Sequence, residues 1–265
     1  MKAISVDAFL GQLDLAIKST SSQVAVAFDA DGTLWSGDAG EDFLFALIDR
    51  KLVQSEAMEA LEREALAYGV QSKGLSASLL VRSLFDAYVA GAYPEPHICR
   101  LTAWACAGYS EAMVRQMAHG ILVDAKLPSR LVAETAEIVR FAEARGIPTY
   151  IVSASPEHVV TAGVKLLGLV HERVIAVEPH YAMGKMLPRV HEPIPYGQGK
   201  RSLLEAELKG RTLVAAFGDN VFDLPMLAAA TFGVTVRPKE RLLSALGPGE
   251  EESLWRLLPP EPTCD

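Results

Sequence analysis

The stretch VAVAFDADGT, residues 24–33, decides the fold, because five apolar residues run directly into two aspartates and a glycine. Apolar residues at both odd and even positions are typical of a strand that is buried on both faces of a parallel sheet. Four similar runs follow at 148–152, 174–177, 213–217 and 232–236, and helical patterns separate most of them. This alternation predicts an α/β fold with a doubly wound, mainly parallel sheet that carries helices on both faces.

The alternation fails once, between the first of these strands and Pro128. That segment contains no convincing strand, and its apolar periodicity predicts five helical stretches, at 41–50, 55–67, 76–90, 97–107 and 110–119. We therefore expect a helical cap domain over residues 38–124, inserted after the first strand. Residues 1–37 and 125–265 would together form the α/β core.

The remaining segments give less regular signals. Residues 1–20 predict an amphipathic helix, and residues 129–145 predict a second one. Between 173 and 190, two apolar runs flank a turn at 182–184, which predicts a β-hairpin. The tail from Gly247 onward, rich in Gly, Pro and Glu, is expected to be surface-bound or loose, with Leu254, Trp255 and Leu257 as candidates to hold part of it in place.

The composition excludes several classes of protein. The 265 residues include 25 Lys+Arg and 33 Asp+Glu, and a net charge of −8 argues against nucleic acid or an anionic membrane surface as a partner. No apolar run reaches the roughly 18 residues of a membrane span. Cys99, Cys106 and Cys264 are too few for a disulfide framework or a zinc site, so a reducing, cytoplasmic location is expected.

The loop after the first strand carries Asp29, Asp31 and Gly32. Loops at the carboxyl ends of parallel strands are where open α/β sheets bind ligands. One carboxylate can attack a phosphorus atom while its neighbour handles protons, and the glycine allows the backbone to approach a phosphate closely. The alternative for this motif alone is a solvated Asx turn.

Two further loops offer groups for an anion. Ser153 and the backbone amide of Ala154 follow the second strand, although a serine before Pro156 is also a common helix cap. Lys200 stands at a predicted helix start, where a cation is unfavourable unless an anion lies nearby. A solvated lysine is the alternative.

The fourth loop contains Asp219, Asn220 and Asp223 after the strand at 213–217. Carboxylates four residues apart at a strand-to-helix turn suit a hard cation such as Mg²⁺. With Asp29 and Asp31 they would form a site made mostly of oxygen ligands, and Asn220 is a candidate for binding substrate. The alternative is that all four are unrelated turns that happen to occur in this order, each at a strand end or helix start. Such a coincidence is improbable.

These motifs together resemble a known family. Asp29-x-Asp31-Gly32-Thr33, Ser153, Lys200 and Gly218-Asp219-x-x-x-Asp223 are similar to the four motifs of the haloacid dehalogenase-like phosphohydrolase superfamily, over about residues 24–236. The resemblance implies a Rossmann-like core with an inserted cap, as in the phosphoserine phosphatase-like branch, which includes phosphorylcholine phosphatases.

The resemblance also implies roles for the residues of the first three motifs. Asp29 would be the nucleophile, and Asp31 would protonate the leaving group and then activate water. Thr33 and Ser153 would bind phosphoryl oxygens together with Gly32 and Ala154 of the same loops. Lys200 would neutralise charge on the transferring group.

For the metal, the resemblance implies Mg²⁺ held by the Asp29 carboxylate, the Asp31 backbone carbonyl and Asp219. Asp223 would steady Lys200 or a water on the metal. The true dehalogenases lack the second aspartate of the first motif, so Asp31 favours phosphate-ester chemistry.

We therefore predict a Mg²⁺-dependent phosphomonoesterase that hydrolyses a small phosphorylated metabolite through an aspartyl-phosphate. Aminated esters such as phosphoserine or phosphocholine are candidate substrates. Transfer of the phosphoryl group to a second acceptor is one alternative, and a non-catalytic protein that binds a phospho-ligand or a partner is another. The sequence gives no oligomeric state.

The leaving group is less well defined by sequence. Asp38 stands where phosphoserine enzymes place the carboxylate that meets the substrate ammonium, but Phe222 replaces their usual asparagine. Arg82 is the candidate for binding a substrate carboxylate. Trp35, beside the acidic residues at 38–42, suggests a mouth suited to a cation, with simple packing as the alternative.

Overall fold

The computed structural model describes residues 1–169 and 171–259. Seven parallel strands form its main sheet, in the spatial order β1-β9-β8-β7-β2-β3-β4, and β5 pairs with β6 in a separate antiparallel hairpin. The bounds are β1 (Lys2–Ile4), β2 (Val24–Phe28), β3 (Thr149–Pro156), β4 (Arg173–Val177), β5 (Pro179–Ala182), β6 (Lys185–Val190), β7 (Thr212–Gly218), β8 (Phe232–Val236) and β9 (Trp255–Leu257). The predicted parallel α/β sheet is confirmed.

Helices surround this sheet and fill the long interruption after β2. They are α1 (Val6–Ser19), α2 (Ala39–Asp49), α3 (Met58–Ala67), α4 (Ala77–Val89), α5 (Glu95–Trp104), α6 (Glu111–Asp124), α7 (Ala133–Ala144), α8 (Glu157–Leu166), α9 (Gln198–Leu208), α10 (Leu224–Leu227), α11 (Glu240–Ala245) and α12 (Pro248–Ser253). Short 3-10 helices lie at Ser55–Ala57, Leu127–Arg130 and Val221–Asp223. We call residues 38–124, with α2 to α6, the cap segment.

Both faces of the sheet are covered because its central strands carry apolar residues at both odd and even positions. In β2, Val26 and Phe28 belong to one cluster of buried side chains, and Ala25 and Ala27 belong to the other. Helices α1, α7 and α8 contribute to the first cluster, and α9 and α10 contribute to the second. The first cluster continues without a break into the cap segment, where it includes Leu61 and other buried side chains.

The two ends of the chain differ from the sequence-based expectation. The N-terminal segment is not one helix, because Lys2–Ile4 form β1 before α1 begins at Val6. In the tail, Leu254 and Leu257 are buried as anchors of this segment, but Trp255–Leu257 hold it by forming β9 between β8 and β1, a strand that was not predicted. The long cap insertion therefore follows the second strand of the chain. Residue 264, the third cysteine, lies outside the described residues.

The helix predicted over 129–145 begins four residues later than expected. Leu131 instead forms a bridge with Trp35, and the Val132 amide donates to the Leu34 carbonyl. Pairing with the first loop holds this segment extended, so α7 starts only at Ala133.

The hairpin predicted near residue 183 is confirmed as β5 and β6, with Met183 and Gly184 in the turn. Its second strand also contacts the cap segment. The Gly108 amide donates to the Met186 carbonyl, and the Met186 amide donates to the Tyr109 carbonyl. The hairpin thus ties the cap segment to the core. Among the helices of the described ranges, none combines the length and apolarity that crossing a membrane requires.

The sheet order brings three of the predicted loops side by side. Strand β2 lies between β7 and β3, and parallel strands direct their carboxyl ends to one edge. Strand β8 adds a further loop beside β7.

Candidate active site

Asp29 lies at the carboxyl end of β2, deep in the site. Its amide donates to the Phe217 carbonyl at 2.9 Å, which fixes the loop against β7. One carboxylate oxygen is 2.5 Å from the Lys200 ammonium, and the other accepts from the Thr33 hydroxyl at 3.4 Å. Asp29 is 5% exposed, so the orientation of its carboxylate is set by these contacts.

The Asp31 carboxylate is held by three donors. It accepts from the Trp35 indole at 2.7 Å, from the Ala39 amide at the start of α2 at 2.7 Å, and from the Ser155 hydroxyl at 2.5 Å. A helix N-terminus is a favourable place for a negative charge. These hydrogen bonds link the first loop to the cap segment and to the C-terminal end of β3.

Trp35 is not at a cleft mouth, so the prediction that it forms one is wrong. Its side chain is fully buried, with the indole N–H donating to Asp31. A Cβ at Gly163 of α8 would lie 3.1 Å from the indole ring, which shows how closely the ring packs there. The packing alternative is correct, and the ring also positions Asp31.

Lys200 bridges the first and fourth loops. Besides Asp29, its ammonium is 2.5 Å from Asp223, and it is 3% exposed. The second Asp223 oxygen accepts from the amides of Asp219 at 3.0 Å and Asn220 at 2.9 Å. Both Asp223 oxygens therefore have protein partners, which fix the fourth loop and the lysine together.

Gly32 places the first loop against the fourth. Its φ is +84°, and an added Cβ would lie 2.0 Å from a carboxylate oxygen of Asp219. Only glycine combines this backbone conformation with such a close approach.

The candidate phosphate-binding groups of β3 lie in an irregular part of that strand. The strand was expected to end at 152, but it continues to Pro156, with a break in the pairing register after Val152. The buried Ser153 hydroxyl accepts from the Ser155 amide at 3.1 Å. Ser153 and Ala154 both line the cleft.

A lysine that sequence reasoning did not identify completes the site. Lys239, in the loop after β8, is half exposed, and its ammonium lies 2.9 Å from the Asp219 carboxylate. Its amide donates to the Asp219 carbonyl at 2.8 Å. The sequence could have indicated this lysine by its position after a buried parallel strand, because the other site loops were identified from such positions.

These side chains line one cleft between the core and the cap segment, in two adjoining parts. The catalytic part, about 490 Å³, contains the four aspartates of the first and fourth loops, both lysines, Ser153 and Asn220. The cap part, about 430 Å³, is lined by residues of α2, α4 and α5 and shares Asp38 and Glu95 with the first. Asp38 also caps α2 by accepting from the Glu41 amide at 2.8 Å.

Comparison with known proteins decides the family. The model of the haloacid dehalogenase-like hydrolases matches residues 26–228, well over half of the chain. The chain belongs to the haloacid dehalogenase-like hydrolase family. The resemblance drawn from the motifs is thereby confirmed at the family level. No significant match is found among curated proteins.

Solved structures share the fold of this haloacid dehalogenase-like hydrolase. A protein of unknown function from Bordetella pertussis Tohama I aligns with a TM-score of 0.65 and 21% identity, over 90% of this chain and 99% of its own. A functionally unknown protein from Anaerococcus prevotii DSM 20548 gives 0.67 and 16%, over 93% and 90%. A substrate-bound phosphoserine phosphatase gives 0.51 and 17%, over 85% and 91%. At these identities the likeness concerns the fold.

The site of this haloacid dehalogenase-like hydrolase suits the Mg²⁺ that the family resemblance implies. Carboxylate oxygens of Asp29, Asp219 and Asp223, all buried, lie within 4.8 Å of one another. Burial raises the pKa of Asp29 well above its usual range and that of Asp219 to about 6, although Lys200 and Lys239 oppose these shifts. A divalent cation would offset this unfavourable concentration of negative charge. The Asp31 carboxylate is outside the group of three, so only its backbone carbonyl is a candidate ligand.

His158 is a buried group that does not line this cleft. It lies on α8, is 2% exposed and contacts the Phe43 ring at 5.1 Å between centroids. Neither ring nitrogen has a hydrogen-bond partner among the described residues. Burial, and next the charge of Arg115, lowers the pKa of His158 to about 3.

Replacing His158 with leucine should raise the free energy of unfolding by about 1 kcal/mol at pH 7.5, because an unpaired buried polar group is removed. The gain should increase by about 1.4 kcal/mol per pH unit well below pH 6.5. At these pH values the unfolded state binds a proton at His158 that the folded state does not bind. The wild-type protein therefore loses stability as the pH falls, and the leucine variant does not lose stability for this reason. Urea unfolding between pH 5 and 7.5 measures both effects. The exposed His119→Leu variant is the control, and an equal pH slope for wild type and His158→Leu would contradict the prediction.

Proposed function

We propose that this haloacid dehalogenase-like hydrolase is a Mg²⁺-dependent phosphomonoesterase that acts on a small phosphorylated metabolite through a covalent aspartyl-phosphate. One observation carries the proposal: the Asp29 carboxylate, at a strand end in a cleft, is fixed by Lys200 while Asp31 is held separately. A carboxylate that a neighbouring cation holds in place within a cleft can attack phosphorus.

In the first half-reaction, an Asp29 oxygen attacks the phosphorus atom and the bond from phosphorus to the ester oxygen breaks. Asp31, in its protonated form, gives its proton to that leaving oxygen. In the second half-reaction, Asp31 takes a proton from water, the resulting hydroxide attacks phosphorus, and the acyl-phosphate bond breaks. Inorganic phosphate leaves and Asp29 is a free carboxylate again.

The other groups of the cleft support this chemistry by charge and position. Lys200 lies beside Asp29, where negative charge on the phosphoryl oxygens can be neutralised, and Asp223 holds this lysine in place. Thr33, Ser153 and backbone amides of the same loops are the candidate donors to the phosphoryl group. Mg²⁺ would be held by Asp29, Asp219 and the Asp31 carbonyl, and when bound it would supply positive charge to the phosphoryl oxygens.

A generic aryl phosphate tests the proposal without reference to the natural substrate. With p-nitrophenyl phosphate and Mg²⁺ we expect turnover that EDTA lowers by about 100-fold or more and that excess Mg²⁺ restores. Inorganic phosphate should be released in equal amount to nitrophenol, whereas transfer to an added alcohol acceptor would leave phosphate in deficit. Circular dichroism must show that the EDTA-treated protein is still folded. No turnover by micromolar folded enzyme, or full activity in EDTA, would rule the proposal out.

A further inference from the structure

Helix α4 of the cap segment presents a stripe of four side chains to solvent. These are Leu79, Arg82, Asp86 and Val89, which recur every three or four residues and therefore lie along one face of the helix. All four are exposed, and the two apolar ones, Leu79 and Val89, are 54% and 70% exposed. We call these four residues the α4 stripe.

The other faces of the same helix are buried or line the cleft. Leu80 and Leu84 belong to the first cluster of buried side chains, and Phe85 and Tyr88 line the cap part of the cleft. No residue of the α4 stripe lines either part of the cleft. Arg82, the candidate for binding a substrate carboxylate, is thus outside the cleft as well.

The two charged residues of the α4 stripe have no ion-pair partner in the described parts of the chain. The Arg82 guanidinium lies 5.0 Å from the centre of the Phe45 ring on α2, and Asp86 has no cation beside it. Arg82 and Asp86 are four residues apart on one helix, but a cation that precedes an anion is the less favourable order for such a pair. Both charges are therefore available to a second molecule.

The α4 stripe is complementary to itself when two copies of the helix lie antiparallel. Leu79 and Val89 lie five residues before and after Leu84, and Arg82 and Asp86 lie two residues before and after it. A two-fold axis at the level of Leu84 therefore brings each leucine opposite the valine of the second copy. The same axis brings each arginine opposite the aspartate of the second copy.

This symmetry distinguishes the α4 stripe from an ordinary surface. Single exposed apolar side chains are common on proteins and do not indicate a partner. In a parallel pair of the same helices, identical residues would meet, so that Arg82 would oppose Arg82 and Asp86 would oppose Asp86. Only the antiparallel arrangement opposes unlike charges at both positions, and such complementarity fixes the orientation of a contact.

We propose that the α4 stripe is a homodimer interface, on which α4 of a second copy of this chain packs antiparallel. A helix of 13 residues is about 20 Å long, so the contact is smaller than a standard stable interface. We therefore expect a weak dimer, with a dissociation constant in the micromolar range. The proposal goes beyond the phosphomonoesterase function, because the stripe and the cleft share no residue.

Sedimentation velocity between about 5 and 200 µM tests for self-association. The wild-type protein should shift from monomer to dimer as its concentration rises. Leu79→Glu should raise the dissociation constant at least about 10-fold, because a carboxylate without a partner would be enclosed in the contact. A wild-type protein that stays monomeric throughout this range, or an unchanged dimer of Leu79→Glu, overturns the proposal.

Two charge-reversed variants test the pairing itself. Arg82→Asp makes both charged positions of the stripe acidic, and Asp86→Arg makes both of them basic. Each variant alone should oppose like charges, which should raise its dissociation constant at least about 10-fold. An equimolar mixture of the two should recover association to within about 3-fold of wild type, because every acidic position then faces a basic one.

Recovery on mixing is a readout that misfolding of either variant would not give. Arg140→Asp, at an exposed position of α7, makes the same charge change outside the stripe and should leave association unchanged. Circular dichroism should show the wild-type spectrum for every variant. Dimers that persist in each charge-reversed variant, or variants that stay monomeric when mixed, overturn the antiparallel pairing of α4. None of these measurements uses turnover, so they are independent of the proposed function.

Discussion

Asp29→Asn should reduce kcat for p-nitrophenyl phosphate by at least about 10³-fold, since an amide cannot replace the carboxylate as a nucleophile. The substitution keeps the size of the side chain, so the fold should persist. Asp29 is 5% exposed and its partners Lys200 and Thr33 come from the same cleft. Activity within 10-fold of wild type would show that the nucleophile is another group. Asp86→Asn, at an exposed position of α4, is the control for loss of one negative charge.

Trapping the phosphoenzyme distinguishes the roles of the two aspartates of the first loop. Acid quenching during turnover of ³²P-labelled substrate should leave label on the wild-type protein and none on Asp29→Asn. Asp31→Asn should accumulate label when the leaving group is nitrophenolate, which departs without a proton, because the water that attacks next has no base. Absence of label from wild type and from Asp31→Asn would argue against a covalent intermediate.

The second large effect is expected from removing Lys200, whose ammonium lies between two buried carboxylates. Lys200→Met should lower the free energy of unfolding by about 3–5 kcal/mol, because Asp29 and Asp223 would both be left buried without their cation. The activity should fall by about 100-fold or more as well, since the transferring phosphoryl group loses a positive charge. Urea unfolding in EDTA at pH 7 measures the stability.

Lys239→Met is the matched control, because it removes the same charge from the other lysine of the cleft. Lys239 is half exposed and contacts a single carboxylate, that of Asp219. Its loss should therefore cost less than that of Lys200, because it leaves one buried carboxylate without its cation instead of two and the lysine itself is half exposed. An equal loss of stability in the two variants would contradict the prediction that the burial of Lys200 between two carboxylates makes its removal the more costly.

The sequence predicted the sheet where the signal was local and strong. Five apolar runs correspond to β2, β3, β4, β7 and β8, and the hairpin was also found. Strands β1 and β9 were missed because each has three residues and exists only through pairing with a distant part of the chain. The start of α7 was misplaced for a similar reason, since a bridge to Trp35 outweighs helical periodicity at Leu131.

Site residues could be predicted from the sequence where they follow a strand directly. They could not be predicted where the packing of helices decides which side chains reach the cleft. Loops after β2 and β7, with Lys200, were expected to meet, and the structure brings them together. Lys239 follows β8 without a motif around it. Glu95 and Tyr88 lie on helices of the cap segment, and an acidic residue in a first helical turn has the ordinary explanation of the helix dipole. Which helix face meets the cleft depends on tertiary packing that one sequence does not show.

The position of β9 between β8 and β1 has a consequence for how the chain is made. Among the described residues, β1 pairs with β9 alone, so residues 2–4 find their strand partner only after residues 255–257 have been synthesised. Until then the nascent sheet ends at β8, whose outer edge is open to pairing with other chains. Strand β1 can therefore join the sheet only once β9 has been made, although about 250 residues separate the two strands along the chain.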